Sequence, residues 1–297
     1  MEIRTLRYFL AVAREENSLN ALLPAILLRG CQSAPDLRSI TQHLDTLYGA
    51  ALGPLVRRFG DYQGVGFYCN FLDDRFALPG DRVLEGVMDF LEEVLLESPT
   101  QDGGFLPELV ESEKKNLIST LDAEMNNKQA YAMSRMIRSM CRRDRYGIPR
   151  LGEQDQVASV EPVQLYDHFR RILRESPIEI FYVGSREIGE VAQLLMPLLG
   201  KLDRSCVDIP AQTGFQDVPG EDLVEKMGVT QGKLVMGLRI NMEPSDPDYV
   251  ALNLLNVIFG GSMTSKLFCN VREKLSLCYY ASSTFLRFKG IMFISAG

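Results

Sequence analysis

Histidine is scarce in this chain: of 297 residues, only His43 and His168 are histidines. They fall in unrelated helical stretches, where each is expected to be a surface or half-buried residue and not a metal ligand. Six cysteines, Cys31, Cys69, Cys141, Cys206, Cys269 and Cys278, are scattered with no C-x-x-C pair. That spacing excludes a dense disulfide framework and predicts reduced thiols in a cytoplasmic protein. Long apolar runs are missing too. Stretches such as ALNLLNVIF reach about half of the ~20 residues that span a bilayer, so no membrane segment is expected. Basic charge is in deficit, with a formal net charge of −7, which argues against a surface that neutralises many phosphates and hence against nucleic acid as a partner. The opening MEIRTLRYFLAVAREEN sets Arg4, Arg7 and Arg14 among apolar residues and has no small-residue cleavage site, so it does not read as a secretory signal.

What is present suits an ordinary globule. Hydrophobic residues make up 46% of the chain and charged residues 24%, enough for one large or two medium cores. The pattern predicts helices over SLNALLPAILLRG and PDLRSITQHLDTLYG, and paired strands over GPLVRRF and GVGFYCNFL about the Gly60–Gly64 turn. In the amphipathic helix GDRVLEGVMDFLEEVLLES, Val83, Val87, Leu91, Val94 and Leu95 share one face. From Leu106 to about Arg142 the pattern stays helical, broken near Asn126-Asn127, and EPVQLYDHFRRILRES, the strand IEIFYVG and the helix EIGEVAQLLMPLLGKL follow. Residues 203–232 hold Pro210, Gly214, Pro219, Gly220, Gly228 and Gly232 with little periodicity, and read as an interdomain linker.

After the linker the grammar restarts: strand KLVMGLRI, helices DPDYVALNLLNVIFGG and SKLFCNVREKL, strands LCYYASSTFLRF and GIMFISA. Residues 21–51 laid on 251–281 without a gap align Ala21 with Ala251, Leu22 with Leu252, Gly30 with Gly260, Leu37 with Leu267, Leu47 with Leu277 and Ala51 with Ala281. Helix, glycine stop, helix and strand recur in the same order, which suggests duplication of a domain-sized unit. The expected organisation is a segment 1–17 of uncertain origin, a first domain 18–203, a linker 204–232 and a partial second domain 233–297, each domain α/β with an antiparallel sheet flanked by helices.

Several stretches resemble the pitrilysin/insulinase family of metallopeptidases, whose active members carry an H-x-x-E-H motif. GGSMTSKLFCNVREKLSLCYYAS is similar to the family's second-half signature, RYGIPRLGEQDQVASVEPVQLYDHFRRIL to its middle segment, and IEIFYVGS and VTQGKLVMGLRI to its strands. On a helix, positions i and i+4 share a face, so two imidazoles reach one zinc while the Glu between them polarises its water. Alignment on Arg29-Gly30 puts Ala21, Pro24 and Ala25 at those three positions. None of them can ligate a metal or move a proton, so neither zinc nor any other cofactor is expected. The resemblance makes Glu113, in VESEKKNLIST, the counterpart of the third ligand; the sequence also reads as a solvated helix face there, with Glu111, Lys114 and Lys115 beside it. It further makes Arg272 and Tyr279, seven residues apart in REKLSLCY, the counterparts of two groups that hold substrate backbone and the developing oxyanion. A solvated helix end and a half-buried strand residue are the plain alternative for that pair.

Residues 1–17 separately resemble the opening helix of LysR-type transcriptional regulators, although no alanine-rich turn or recognition helix follows; RYFLAVA could equally be a strand. The resemblance implies a catalytically inactive subunit, no enzyme on its own, that pairs as a hetero- or homodimer with a zinc-bearing homologue around a peptide substrate. Within the family the likeness in NALLPAILLRGC and LDTLYGAAL is to bacterial non-catalytic members associated with aminopentanol modification of elongation factor P. A stand-alone peptidase with atypical ligands and a DNA-binding regulator are the competing expectations.

Overall fold

The computed structural model describes residues 3–12, 16–207 and 218–297. In chain order its elements are β1 (Ile3–Val12), α1 (Asn17–Leu27), α2 (Leu37–Thr46), β2 (Ala51–Phe59), β3 (Tyr62–Leu72), α3 (Val83–Leu96), β4 (Thr100–Gln101), β5 (Gly104–Phe105), α4 (Pro107–Glu124), α5 (Lys128–Met140), α6 (Gln154–Ala158), α7 (Pro162–Glu175), β6 (Ile178–Val183), α8 (Ile188–Lys201), β7 (Leu234–Arg239), α9 (Tyr249–Phe259), β8 (Ala281–Leu286) and β9 (Ile291–Ala296), with a π-helical turn over Phe268–Lys274. Two compact units emerge, Met1–Ser119 with Arg150–Pro210, and Thr120–Pro149 with Ala211–Gly297. This division differs from the linear one expected from the sequence. Residues 120–149 go with the second unit because α5 packs on β7 and Arg239 pairs with the buried Asp144.

The first unit is built on an antiparallel sheet in the order β2-β3-β1-β6. Ile3–Val12 is therefore a strand that pairs on both sides, not the opening helix of a DNA-binding motif. The short apolar run Tyr8–Val12 suited either reading, and the sheet supplies the backbone partners that decide it. Pro54 is tolerated in β2 because that strand is an edge. Gly60, at φ 55°, opens the two-residue turn that joins Phe59 to its partner Tyr62. The helices bury apolar stripes. Val83, Val87, Leu91, Val94 and Leu95 of α3 are all buried, as the 3.6-residue period requires, and so are Leu22, Leu23, Ile26 and Leu27 of α1 and Leu165, Phe169 and Ile172 of α7. Asp36 and Ser39 form a reciprocal capping box that starts α2, and the Asn127 side chain caps α5 at the predicted break.

The second unit repeats the plan in brief. Its sheet runs β8-β9-β7, and a shift of 230 residues carries β7, α9, β8 and β9 onto β1, α1, β2 and β3, so the strand order is the same. Gly260 ends α9 as Gly30 follows α1, and a Cβ on Gly260 would stand 2.5 Å from the Ser283 Oγ of β8. Gly237 of β7 likewise accepts the tips of Met136 and Met140 from α5. The two copies differ in burial. All of α1 except Ala25 is buried, whereas α9 buries only Leu252 and leaves Val250, Leu254, Leu255, Val257 and Ile258 exposed. Of the expected linker, residues 218–232 carry neither helix nor strand, and 208–217 lie outside the described residues.

Candidate functional site

The positions aligned with a zinc motif lie on α1. Ala21 and Pro24 are buried and Ala25 is half-buried. A methyl group and a pyrrolidine ring offer a metal no lone pair, and Pro24 has no N–H to give the Asn20 carbonyl, so α1 forgoes one internal hydrogen bond there. These residues do not fit zinc. Among the described residues, no three His, Cys, Asp or Glu side chains gather into a metal-binding group.

Glu113 departs from the solvated helix face anticipated for it. It is buried, as is Lys114. The Arg29 Nε and Nη2 both reach Glu113 Oε1, and the Asn116 Nδ2 donates to the same oxygen at 3.1 Å. Arg29 leaves α1 one turn beyond Ala25, so a guanidinium supplies the positive charge that this carboxylate needs when buried. Lys114 is satisfied by Glu111 at 2.6 Å and by the Val160 carbonyl at 3.1 Å. Arg29 was legible in the sequence only as half of the Arg29-Gly30 stop, with no sign of its partner.

A second polar cluster, under the same helix, was not anticipated. Asn20 Nδ2 donates to Gln63 Oε1 at 2.8 Å, and Gln63 Nε2 donates to the carbonyls of Arg150 at 2.6 Å and Asn17 at 3.3 Å. His168 Nε2 lies 2.6 Å from Asn20 Oδ1, and Arg171 Nη2 is 2.8 Å from Nδ1. Arg171 can only donate, so Nδ1 accepts and Nε2 carries the proton given to Asn20. The ring is neutral. Burial pushes the His168 pKa down to about 4, against the pull of Glu16 and with the help of Arg171. His168 is thus fully buried, beyond the surface or half-buried place expected for it. Its spacing with Leu165, Phe169 and Ile172 on α7 was the available signal. His43 is half-buried and stacks on Phe90 with ring centroids 4.2 Å apart. The thiols of Cys31, Cys69 and Cys141 are pushed up by burial, Cys69 to about 12.

The structure does bring Arg272 and Tyr279 together. Arg272 lies on the π-helical turn, and its Nε donates to the Tyr279 carbonyl at 2.9 Å. Its guanidinium stacks 4.7 Å from the Phe268 centroid and pairs with Glu273. The seven-residue spacing thus closes a loop whose backbone is pinned at Tyr279, with Ser276 in the left-handed region at φ 51°. Tyr279 N donates to the Gly297 carbonyl at 2.7 Å, while the residue is 76% exposed. Both residues line an open cavity of about 550 Å³, together with Gln231, Gly232, Glu273 and Cys278. Arg272 holds protein backbone here, and Tyr279 is the donor facing outward.

Comparisons with known proteins show what the chain is similar to. Residues 159–297 match the model of the peptidase M16 inactive domain. The chain is 29% identical over 286 residues to the Probable inactive metalloprotease YmfF of Bacillus subtilis (strain 168), an alignment covering 96% of this chain and 67% of that protein. Among solved structures, a conserved protein from Enterococcus faecalis V583 superposes with a TM-score of 0.87 at 28% identity, covering 99% of this chain and 70% of the other. The peptidase M16 inactive domain from Pseudomonas fluorescens is similar in fold, with a TM-score of 0.73 at 18% identity over 99% of this chain and 68% of the other. These likenesses establish an insulinase-like α/β architecture. Among the described residues no helix is long and apolar enough to cross a membrane.

Proposed function

We propose that this chain is a non-catalytic subunit that pairs with a zinc-bearing insulinase-like homologue in a cytoplasmic peptide-processing complex. The observation that carries the reading is the replacement of the whole ligand helix set by Ala21, Pro24 and Ala25, with Glu113 neutralised by Arg29 from within. Pairing is supported by the apolar surface of the second unit: α9 exposes Val250, Leu254 and Val257, whose counterparts on α1, Asn20, Pro24 and Leu27, are buried. In the complex Tyr279 donates a hydrogen bond to substrate backbone, and Arg272 assists by fixing the loop that carries it. The sequence likeness favours the members associated with modification of elongation factor P. The test is a tagged chain expressed in its own host, asked to capture an H-x-x-E-H homologue in equal amount. Peptidase kinetics of that pair then follow with Tyr279→Phe and Arg272→Lys. Loss of an oxyanion donor lowers kcat by about 10²–10³, with less effect on KM. Activity within about twofold of wild type for both variants would leave the subunit a scaffold only.

A further inference from the structure

Residues 218–232 are not idle chain. Along α5 and just past its end, Tyr131, Arg135, Ser139 and Arg142 recur at helical spacing and form a stripe of donors. Tyr131 Oη donates to Glu225 at 2.8 Å and Arg135 Nε at 2.6 Å, while Ser139 Oγ donates to Glu221 at 2.9 Å and Arg142 Nη1 at 3.1 Å. Each carboxylate is therefore held by one hydroxyl and one guanidinium. The two clamps are centred about seven residues apart, about 11 Å along a helix rising 1.5 Å per residue. Four residues of extended chain reach about 13 Å, so the Glu221 to Glu225 spacing matches the stripe. Glu225 meets the N-terminal end of α5 and Glu221 the C-terminal end, so the segment runs antiparallel to the helix. The Tyr131 hydrogen bond, then that of Arg135, holds the Glu225 carboxyl below its usual range, and the same bond raises the Tyr131 phenol.

We propose that residues 218–232 form a latched strap: Glu221 and Glu225 fasten it to α5, its far end at Gln231 and Gly232 forms one wall of the open cavity of Arg272 and Tyr279, and release of the two clamps removes that wall and widens the cavity. The side chains of both ion pairs are between 31% and 44% exposed. Such pairs are individually weak, which makes the fastening reversible and sensitive to salt. An acidic peptide presenting carboxylates four residues apart has the chemistry to compete for the stripe. The consequence for peptide access rests on the reading of the cavity given above, whereas the latch does not.

The experiment uses the full chain and no peptide, so it stands apart from the peptide-site reading. Hydrogen exchange of residues 218–232 and alkylation of Cys278, which lines the cavity, by iodoacetamide are resolved by peptide mass spectrometry. Wild type, Glu221→Gln/Glu225→Gln and Arg135→Gln/Arg142→Gln are compared. Both double variants are expected to raise strap exchange and Cys278 labelling together by roughly fivefold, and 0.5 M NaCl to do the same in wild type. Unchanged exchange in both variants would overturn the latch. Faster exchange with unchanged Cys278 labelling would overturn its control of the cavity.

Discussion

Replacing Arg29 by Met isolates the charge that stands against Glu113. The Arg29 side chain is 21% exposed and that of Glu113 9%. After the substitution Glu113 keeps the Asn116 hydrogen bond and loses both guanidinium contacts. Removing one partner of a fully buried pair costs about 3–5 kcal/mol, because the other charge stays desolvated. Water that already reaches Arg29 moderates this, and about 2–3 kcal/mol is expected. For a unit of this size that is a fall in midpoint of roughly 4–12 °C. Glu113→Gln leaves an arginine that can turn to solvent, and costs about 1 kcal/mol. The double variant Arg29→Met/Glu113→Gln should recover most of the loss, giving a coupling of at least about 1.5 kcal/mol. The chain has no tryptophan, so urea unfolding is followed by far-UV circular dichroism, with equal m-values as the check on each comparison. A coupling below about 0.5 kcal/mol, or Glu113→Gln as costly as Arg29→Met, would refute the claim that Arg29 neutralises a buried carboxylate.

Asn20→Leu removes the partner of the buried Gln63 Oε1 and His168 Nε2 and should cost about 2–4 kcal/mol, measured by urea unfolding. His168 has its folded pKa lowered to about 4 from 6.5, so the unfolded chain takes up the proton first as pH falls. The stabilisation is whole above pH 6.5 and is lost between there and about pH 4, a total of roughly 3 kcal/mol; His168→Gln should remove that slope from the stability profile. Gly30→Ala sets a Cβ 2.6 Å from the Pro35 carbonyl oxygen, a backbone atom, and should lower stability by about 1–3 kcal/mol in thermal unfolding.

Much of the fold was legible because it rests on local pattern. The α3 stripe, the Asn127 break and the Gly60 turn each follow from period, capping or left-handed backbone, and the shift of 230 residues that aligned Gly30 with Gly260 also aligns the strands of the two sheets. The assignment of residues 120–149 to the second unit was not legible, because nothing local links α5 to β7; the tie is Gly237 accepting two methionine tips and Arg239 reaching Asp144. At the site, the absence of ligands at Ala21, Pro24 and Ala25 was plain in the residue types. The burial of Glu113 was hidden because its compensating charge lies 84 positions away, and a charged helix face reads as solvated unless such a partner is known. The strap escaped notice for the same reason, since Glu221 and Glu225 gain meaning only beside α5.

The central claim is that this insulinase-like chain holds no zinc of its own. The direct measurement is metal content by elemental analysis of the purified chain after dialysis against a mild chelator and return to micromolar zinc, with Glu113→Gln alongside. The account predicts well under one zinc per chain in both proteins, since one carboxylate already paired with Arg29 makes no site. About one zinc per wild-type chain, lost in Glu113→Gln, would contradict it.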